Sequence, residues 1–186
     1  MHTQLKQVFK AFILVPFLAT SMSITTFNTA VDTAVANQMQ DKAALQAQAD
    51  REQKAKKIDT YFAKFNLPIA GYGNAMVLAG EKYGIDPYLI AGLAMRESTG
   101  CKFIIPHTHN CFGWGGGKIK FDSFDEAIEV IAKNLGGHNE KTAHYYKGKN
   151  TLKILETYNP RSVVPTYPEE VIGIMSKIEN TDITSA

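Results

Sequence analysis

The chain has few cysteines, a single tryptophan and little net charge. Two cysteines among 186 residues limit covalent cross-linking within the chain to one disulfide. A formal net charge of +2 is too small for the positive field typical of nucleic-acid-binding proteins, so no nucleic-acid partner is expected. The glycine-rich segment GWGGGK at 113–118 lacks the flanking strand and the spacing of a phosphate-binding loop, so no cofactor is expected. The 45% hydrophobic content indicates a globular core.

The N-terminal residues have the pattern of a targeting segment. Lys6 and Lys10 precede the uncharged stretch 11–27, and Ala34-Val35-Ala36 offers a small-residue cleavage site. Residues 11–31 are also long enough to span a bilayer if they are not removed. We therefore expect 1–36 to be a signal peptide or an N-terminal membrane anchor. The protein is expected to be exported to the periplasm, the cell surface or the extracellular space.

Residues 37–57 are rich in Ala, Gln, Lys and acidic residues, which favour helix. Only Met39 and Leu45 are large and apolar there, and no heptad repeat is present, so a solvated polar helical spacer is predicted rather than a coiled coil. The folded domain is expected over 58–180, followed by a tail at 181–186. It is expected to act as a monomer.

Helical spacing and capping signals predict a mainly α fold around one buried central helix. Ile119 and Phe121 indicate at most a short strand within a small loop or hairpin arm that lines a cleft. Six helices are predicted. The first begins at Ile58, the second covers 74–83 with Gly84 as a stop, and the third covers 87–97 with Asp86 as N-cap and Pro87 in the first turn. The fourth begins at the Ser123–Glu126 capping box, the fifth lies near 150–158, and the sixth begins at Pro168.

Glu97 lies at the end of the most apolar predicted helix. No charged side chain occurs from Tyr88 to Met95, and a helix that is apolar all round is a buried one. Glu97 continues the apolar stripe of that helix, while Arg96 is expected to face elsewhere. A helix C-terminus and apolar surroundings both disfavour a negative charge, which favours a carboxyl group able to give a proton to a leaving oxygen. The alternative is an ordinary glutamate at a solvated helix end.

The loop after Glu97 contains both cysteines of the chain, Cys101 and Cys111. In an exported protein, a disulfide between them is the default prediction. The alternatives are free thiols, or a zinc site that also uses His107 and His109, although the H-x-H-x-C spacing is not a standard zinc signature. We predict the disulfide and no metal.

Four motifs in this order resemble the lysozyme-like peptidoglycan glycosidases, which include soluble lytic transglycosylases and bacterial glucosaminidases. The resemblance covers about residues 66–180, and it implies an α+β lysozyme-like catalytic domain over 58–180. The first motif is IDPYLIAGLAMR followed by Glu97-Ser98-x-Gly100, and the second is Asn110-Cys111-Phe112-Gly113. The third is Phe121-Asp122-Ser123 before EAIEVIAKNL, and the fourth is Tyr158-Asn159-Pro160 with Tyr167 and VIGIMSKI.

The resemblance implies that Glu97 acts first as general acid and then as general base. Asn110 and the Gly113 backbone would hold an N-acetyl group or line the floor of the cleft. Aromatic rings can stack on the apolar faces of sugars, and Trp114, Tyr145, Tyr146, Tyr158 and Tyr167 are the candidates. The residues predicted to bind substrate are Ser98, Asn110, Phe112, Gly113, Trp114, Tyr145, Tyr158 and Tyr167.

No second catalytic carboxylate stands out. The available acids are Asp122, Asp125, Glu126 and Glu140, and two of them have predicted roles in the turn and capping box. The absence of a clear partner suits a lytic transglycosylase or muramidase with a single acid. The alternatives are an endo-β-N-acetylglucosaminidase, which cuts the other glycosidic bond, a non-catalytic wall-binding module, and an adaptor that recruits partners through 37–57. For the lytic transglycosylase or muramidase, and for the glucosaminidase, the expected partner is the glycan strand of peptidoglycan.

Overall fold

The computed structural model describes residues 24–184, with the side chains of residue 33 and residues 35–184. Residues 1–23, which hold most of the predicted targeting segment, and residues 185 and 186 of the predicted tail lie outside this range. From 24 to 184 the chain is mainly helical and has no strand, which confirms the mainly α prediction. The helices are α1 (Ile24–Ala63), α2 (Gly73–Tyr83), α3 (Leu89–Ser98), α4 (Phe124–Leu135), α5 (Ala143–Tyr146), α6 (Thr151–Tyr158) and α7 (Tyr167–Glu179).

Helix α1 joins two segments that the sequence suggested were separate. It runs through the polar segment 37–57 into the amphipathic turns where Ile58 and Phe62 are fully buried. No glycine or proline interrupts residues 37–57, so the helix predicted to begin at Ile58 has no reason to start there. The side chains of residues 35–50 are exposed, and among the described helices none is long and apolar enough to cross a bilayer.

The chain divides into two compact units, Met1–Ala43 and Ala44–Ala186. The described residues of the first unit belong to α1. All candidate-site residues belong to the second unit, whose core is built around α3.

Helix α3 is the buried central helix that the sequence predicts. Its first six residues, 89–94, are all buried, and it packs mainly against α7. Gly92 explains the close approach of these two helices. A Cβ added at Gly92 would lie 2.7 Å from Cγ of Met175 and 3.2 Å from Cγ1 of Val171, so a larger residue would require these packed side chains of α7 to move.

The beginning of α3 differs from the prediction. The helix starts at Leu89, not at Pro87, and Asp86 is not its N-cap. The Asp86 carboxylate accepts a hydrogen bond from the Tyr88 N–H at 2.8 Å, two residues further on, which is the geometry of an Asx turn. This turn leads into the helix and delays its start by one half-turn.

The other predicted helix ends agree with the structure, with one addition. Gly84 is the left-handed C-cap of α2, and Ser123 caps α4 by accepting from the Glu126 N–H at 3.1 Å. The one-turn helix α5 was not predicted, because four residues are too few to show a helical period.

The segment between α3 and α4 is an irregular loop, residues 99–123, that we call the connecting loop. The strand suggested by Ile119 and Phe121 is absent from it. Phe121 makes one backbone hydrogen bond across the loop, to the Thr108 carbonyl at 2.8 Å. The His109 ring nitrogen Nδ1 lies 2.8 Å from the Phe121 carbonyl oxygen, so a side chain and not a second backbone bond completes the contact.

Candidate active site

Glu97 stands in the last turn of α3, where the chain leaves the core. Its Oε1 accepts a hydrogen bond from the hydroxyl of Tyr167, the first residue of α7. The helix ends through the N–H groups of Thr99 and Gly100, which bond to the carbonyls of Met95 and Ala94 at 3.0 Å each. The carboxyl group is therefore held between a terminated helix and a buried phenol, and it remains partly exposed.

The turn after Glu97 has an unusual backbone conformation. Thr99, Gly100 and Cys101 follow one another with φ angles of 52°, 60° and 70°. Only Gly100 adopts this left-handed region without steric cost. A Cβ at Gly100 would lie 2.9 Å from Cδ1 of Leu67, so this position also needs a glycine for space. Non-glycine residues in such conformations are concentrated at functional sites.

Two connections close this turn onto the loop that follows. Cys101 and Cys111 form a disulfide with a Cα–Cα distance of 4.6 Å, which confirms the predicted pairing. The zinc alternative required both of these sulfur atoms as thiolates. The buried Ser98 hydroxyl donates to the Cys111 carbonyl at 2.8 Å and accepts from the Cys101 N–H at 2.9 Å. Ser98 thus ties the two ends of the disulfide loop together from inside the protein.

Asn110 organises the next part of the connecting loop. Its side chain is 3% exposed. The amide nitrogen donates to the carbonyls of Trp114 and Ile119, at 2.8 Å and 3.0 Å, and the amide oxygen accepts from the Trp114 N–H at 3.0 Å. Three of the four hydrogen bonds that an asparagine amide commonly makes are used within the loop. Asn110 therefore holds the backbone that carries Gly113 and Trp114.

Gly113 brings the backbone of this loop directly against the carboxylate. Its φ is 62°, and a Cβ built on it would lie 3.2 Å from Oε2 of Glu97. One Glu97 oxygen therefore meets the Tyr167 hydroxyl, and the other faces a backbone that carries no side chain. The space beside Oε2 is where a bound molecule could approach the acid.

A groove of about 460 Å³ opens at this point. Glu97 is the only carboxylate among the described residues that line it. We predicted that Arg96 faces away from Glu97, and the structure agrees, because the Arg96 Nε pairs with Oε2 of Glu170 at 2.6 Å. Glu126 accepts from the Asp122 N–H at the start of α4 and is not part of the lining. The lining residues are Glu97, Phe112, Gly113, Trp114, Gly115, Tyr158 and Asn159.

Three aromatic rings lie close to one another beside Glu97, and two of them are stacked. The rings of Tyr158 and Tyr167 are nearly parallel, 9° apart in orientation, with centroids separated by 6.2 Å. Trp114 extends this group, with its ring centroid 5.9 Å from that of Tyr158. Tyr158 also donates a hydrogen bond to the Phe112 carbonyl, so α6 is attached to the loop on the far side of the groove.

Both tyrosine hydroxyls near Glu97 are held in the neutral form. Burial raises the pKa of Tyr158 well above its ordinary value, and the charge of Glu97 raises it further. Burial also raises the pKa of Tyr167 far above its ordinary value, and the hydrogen bond to Glu97 adds to the effect. Tyr167 therefore acts as a permanent hydrogen-bond donor to the carboxylate.

The predicted site residues fall into three groups. Phe112, Gly113, Trp114 and Tyr158 line the groove with Glu97, and Tyr167, which is only 1% exposed, donates its hydroxyl to the acid. The side chains of Ser98 and Asn110 are buried and support the loop.

Tyr145 and Tyr146 lie on α5 and do not line the groove. Tyr145 is 54% exposed and its ring lies 3.8 Å from that of His144, whereas Tyr146 is buried. Asn159 and Gly115 line the groove and were not predicted. Asn159 follows Tyr158 directly, so its position in the Tyr-Asn-Pro motif was the available signal.

A larger cavity, of about 800 Å³, lies between the end of α1 and the C-terminal residues, where Tyr61, Phe65 and Lys177 contribute to its walls. It contains no residue of the Glu97 groove. Among the described residues, no cluster of three or more metal-ligating side chains is present.

The groove combines one proton-donating or proton-accepting carboxyl group, a hydrogen-bond donor fixed to it, and aromatic surface on one side. Such an arrangement can transfer a proton to or from a molecule whose apolar faces pack against the rings. Comparison with known proteins gives no match to a family model, to a curated protein or to a solved structure.

Proposed function

We propose that this protein is an exported glycosidase of the lysozyme-like type, which cleaves the glycan strand of peptidoglycan with Glu97 as its single catalytic acid and base. The observation that carries this proposal is the pairing of Glu97 with the Tyr167 hydroxyl in a groove that, among the described residues, is lined by no other carboxylate. Retaining or inverting hydrolysis by two carboxylates needs a partner within about 10 Å across the sugar. A reaction with one acid does not.

The walls of the groove suit a carbohydrate. Pyranose rings present apolar C–H faces, and Trp114 and Tyr158 offer aromatic surface at the right place. Asn159 supplies an amide for sugar hydroxyl or N-acetyl groups. The disulfide between Cys101 and Cys111 supports export, because such bonds persist in oxidising compartments.

In the proposed reaction, Glu97 gives its proton to the oxygen of the glycosidic bond as the bond to the anomeric carbon breaks. The resulting carboxylate then takes the proton from the 6-hydroxyl of the muramic acid residue, whose oxygen attacks the same anomeric carbon. The products are a free hydroxyl on the leaving sugar and an anhydromuramic end. The Tyr167 hydroxyl, which donates a hydrogen bond to Oε1, holds the Glu97 carboxyl group in place through these two proton transfers.

The test is a digestion of purified peptidoglycan sacculi by the full-length protein and by Glu97→Gln, with Glu140→Gln as a matched control. Glu140 is an exposed glutamate outside the groove. We expect wild type and Glu140→Gln to release soluble fragments, and Glu97→Gln to lose at least a thousandfold in rate while retaining its circular dichroism spectrum.

The chemical ends of the fragments distinguish the possible bonds. An anhydromuramic end supports the transglycosylase reaction, a reducing muramic end indicates hydrolysis of the same bond, and a reducing glucosamine end indicates glucosaminidase activity. No digestion by wild type, with equal binding of all three proteins to sacculi, would contradict the proposal and favour a wall-binding module.

A further inference from the structure

One part of the connecting loop combines exposed apolar side chains with uncompensated positive charge. We call it the loop surface. It consists of Lys102, Phe103, Ile105, Lys118, Ile119 and Lys120, all of which are exposed.

The apolar members of the loop surface are large and face water. Phe103 is 69% exposed, Ile105 49% and Ile119 41%. Two of them, Ile105 and Ile119, lie next to the glycine segment that follows Trp114. A Cβ at Gly115 would be 2.6 Å from Cδ1 of Ile119, and one at Gly117 would be 3.6 Å from Cδ1 of Ile105. The absence of side chains at Gly115 and Gly117 thus leaves room for the two isoleucines beside this segment.

The charges of the loop surface have one sign. No Asp or Glu occurs from residue 98 to residue 121, whereas three lysines do. Within the described part of the chain, none of these lysines forms an ion pair. Lys102 instead lies over the Phe103 ring, with Nζ 5.5 Å from the ring centroid. The ammonium groups are therefore available to an anionic partner.

We propose that the loop surface docks on the surface of an anionic lipid bilayer. Lysines that flank exposed apolar side chains match such a membrane in both respects. The ammonium groups meet lipid phosphates, while the isoleucine and phenylalanine side chains enter the headgroup region. A soluble polyanion would use the lysines and leave the three apolar side chains in water. The apolar component therefore favours the bilayer over a polymer.

Docking on a bilayer has a geometric consequence for the groove. Gly115 lines the groove beside Glu97 and also contacts Ile119 of the loop surface. A membrane on the loop surface therefore lies at the edge of the groove. The site would work on molecules held close to the bilayer. The docking itself does not depend on the chemistry proposed for Glu97.

The experiment uses the lone tryptophan as a local reporter. Trp114 is the only tryptophan of the chain and is adjacent to Gly115. Its fluorescence is followed in the full-length protein as vesicles with brominated acyl chains are added, made either of phosphatidylcholine alone or of equal parts phosphatidylcholine and phosphatidylglycerol. A local reporter is needed because the apolar N-terminal segment can itself bring the chain to a vesicle.

We expect quenching with the anionic vesicles, weak quenching with phosphatidylcholine, and loss of quenching at high salt. Replacing Lys102, Lys118 and Lys120 by Gln should raise the lipid concentration at half-maximal quenching by roughly tenfold or more. Ile105→Ser with Ile119→Ser should reduce the maximal quenching at saturating lipid. All five positions are exposed, so circular dichroism should show an unchanged fold.

Two matched variants serve as controls. Lys133, Lys141 and Lys147 are exposed lysines outside the loop surface, and their joint replacement by Gln removes the same charge. Val163→Ser removes an apolar side chain that is 70% exposed. Anionic vesicles should quench the Trp114 fluorescence of both control variants as strongly as that of wild type.

Three results would overturn the proposal. They are equal quenching in the loop-surface and control variants, equal quenching by both kinds of vesicle, and sedimentation of the protein with vesicles without quenching. Tight binding of soluble polyglutamate that depends on the same lysines, with no quenching by vesicles, would also overturn it and would identify the partner as a polymer.

Discussion

The hydroxyl of Tyr167 donates a hydrogen bond to the carboxylate of Glu97, although 70 positions separate them in the chain. The contact forms because α3 and α7 pack closely at Gly92, where Met175 and Val171 occupy the space that a side chain would need. Arg96 lies over the ring of the same phenol, with its guanidinium carbon 5.4 Å from the ring centroid, and pairs with Glu170 of α7. A packing contact in the core thus determines the surroundings of the acid.

Removing this donor should reduce activity without removing the fold. Tyr167→Phe keeps the ring that stacks on Tyr158 and leaves Oε1 of Glu97 without its partner. A hydrogen bond to a charged group contributes about 1.5–3 kcal/mol, so we expect the rate of wall digestion at saturating substrate to fall about ten- to hundredfold. Tyr61→Phe, which removes a hydroxyl that does not line the groove, should have the wild-type rate. Equal rates for both variants would show that the Tyr167 hydroxyl plays no part in the reaction.

Two glycines of the connecting loop allow backbone strain to be separated from crowding of the acid. Gly113 and Gly116 have similar φ angles, 62° and 70°, but only a Cβ at Gly113 would approach Glu97, while nothing lies within 4 Å at Gly116. Alanine at either position should cost about 1–2 kcal/mol of stability from the left-handed backbone. Only Gly113→Ala should also reduce wall digestion, by at least tenfold, because its methyl group displaces Oε2 of Glu97. Thermal unfolding and fragment release measure the two effects, and a similar loss of activity in both variants would argue against contact with the acid.

The buried helix and its terminal glutamate could be predicted from the sequence because both follow from local periodicity. An uncharged stretch followed by Glu97 on the same face is a pattern within one helix, and Ser123 with Glu126 is a pattern within four residues. The roles of Ser98 and Asn110 could not be predicted in this way. Their partners are carbonyl groups of an irregular loop, Cys111 for Ser98 and Ile119 for Asn110, and no period of the sequence encodes such contacts.

The same limit applies to the aromatic residues. Tyr145, Tyr158 and Tyr167 look equivalent in the sequence, yet Tyr145 lies on a one-turn helix and does not line the groove, while the other two stack beside Glu97. The difference arises from how α5, α6 and α7 pack, which requires contacts between distant residues. The strand suggested at Ile119 and Phe121 is absent for a related reason. Alternating apolar residues favour a strand only where a partner strand is available, and here Thr108 supplies a single backbone bond.

Reduction of the disulfide should loosen both the fold and the groove. Cys101 and Cys111 close a short loop, for which the chain-entropy model gives about 2–3 kcal/mol of stability. Replacing both by Ser should lower the melting temperature by roughly 5–10 °C. It should also slow wall digestion, because the loop that carries Asn110 and Gly113 then loses its disulfide and is held to the end of α3 only by the hydrogen bond from Ser98 to the Cys111 carbonyl. Reductant should lower the melting temperature of wild type and leave that of the double variant unchanged. A wild-type melting temperature that stays constant after the thiols have been freed would contradict this prediction.

The raised pKa values of Tyr158 and Tyr167 predict that the fold weakens in alkali. Both phenols have an ordinary value of 10.0 in the unfolded chain and a higher one in the folded protein, chiefly because of burial. Above pH 10 the unfolded chain releases these protons while the folded protein keeps them, so the stabilisation is complete below pH 10 and decreases as the pH rises beyond it. Each group should lower the free energy of unfolding by up to about 1.4 kcal/mol per pH unit. Urea titrations between pH 10 and 11.5 should show a steeper decline for wild type than for a Tyr158→Phe, Tyr167→Phe variant, with a constant difference between the two proteins from pH 7 to 9. Parallel declines above pH 10 would mean that these hydroxyls ionise as readily in the folded protein as in the unfolded chain.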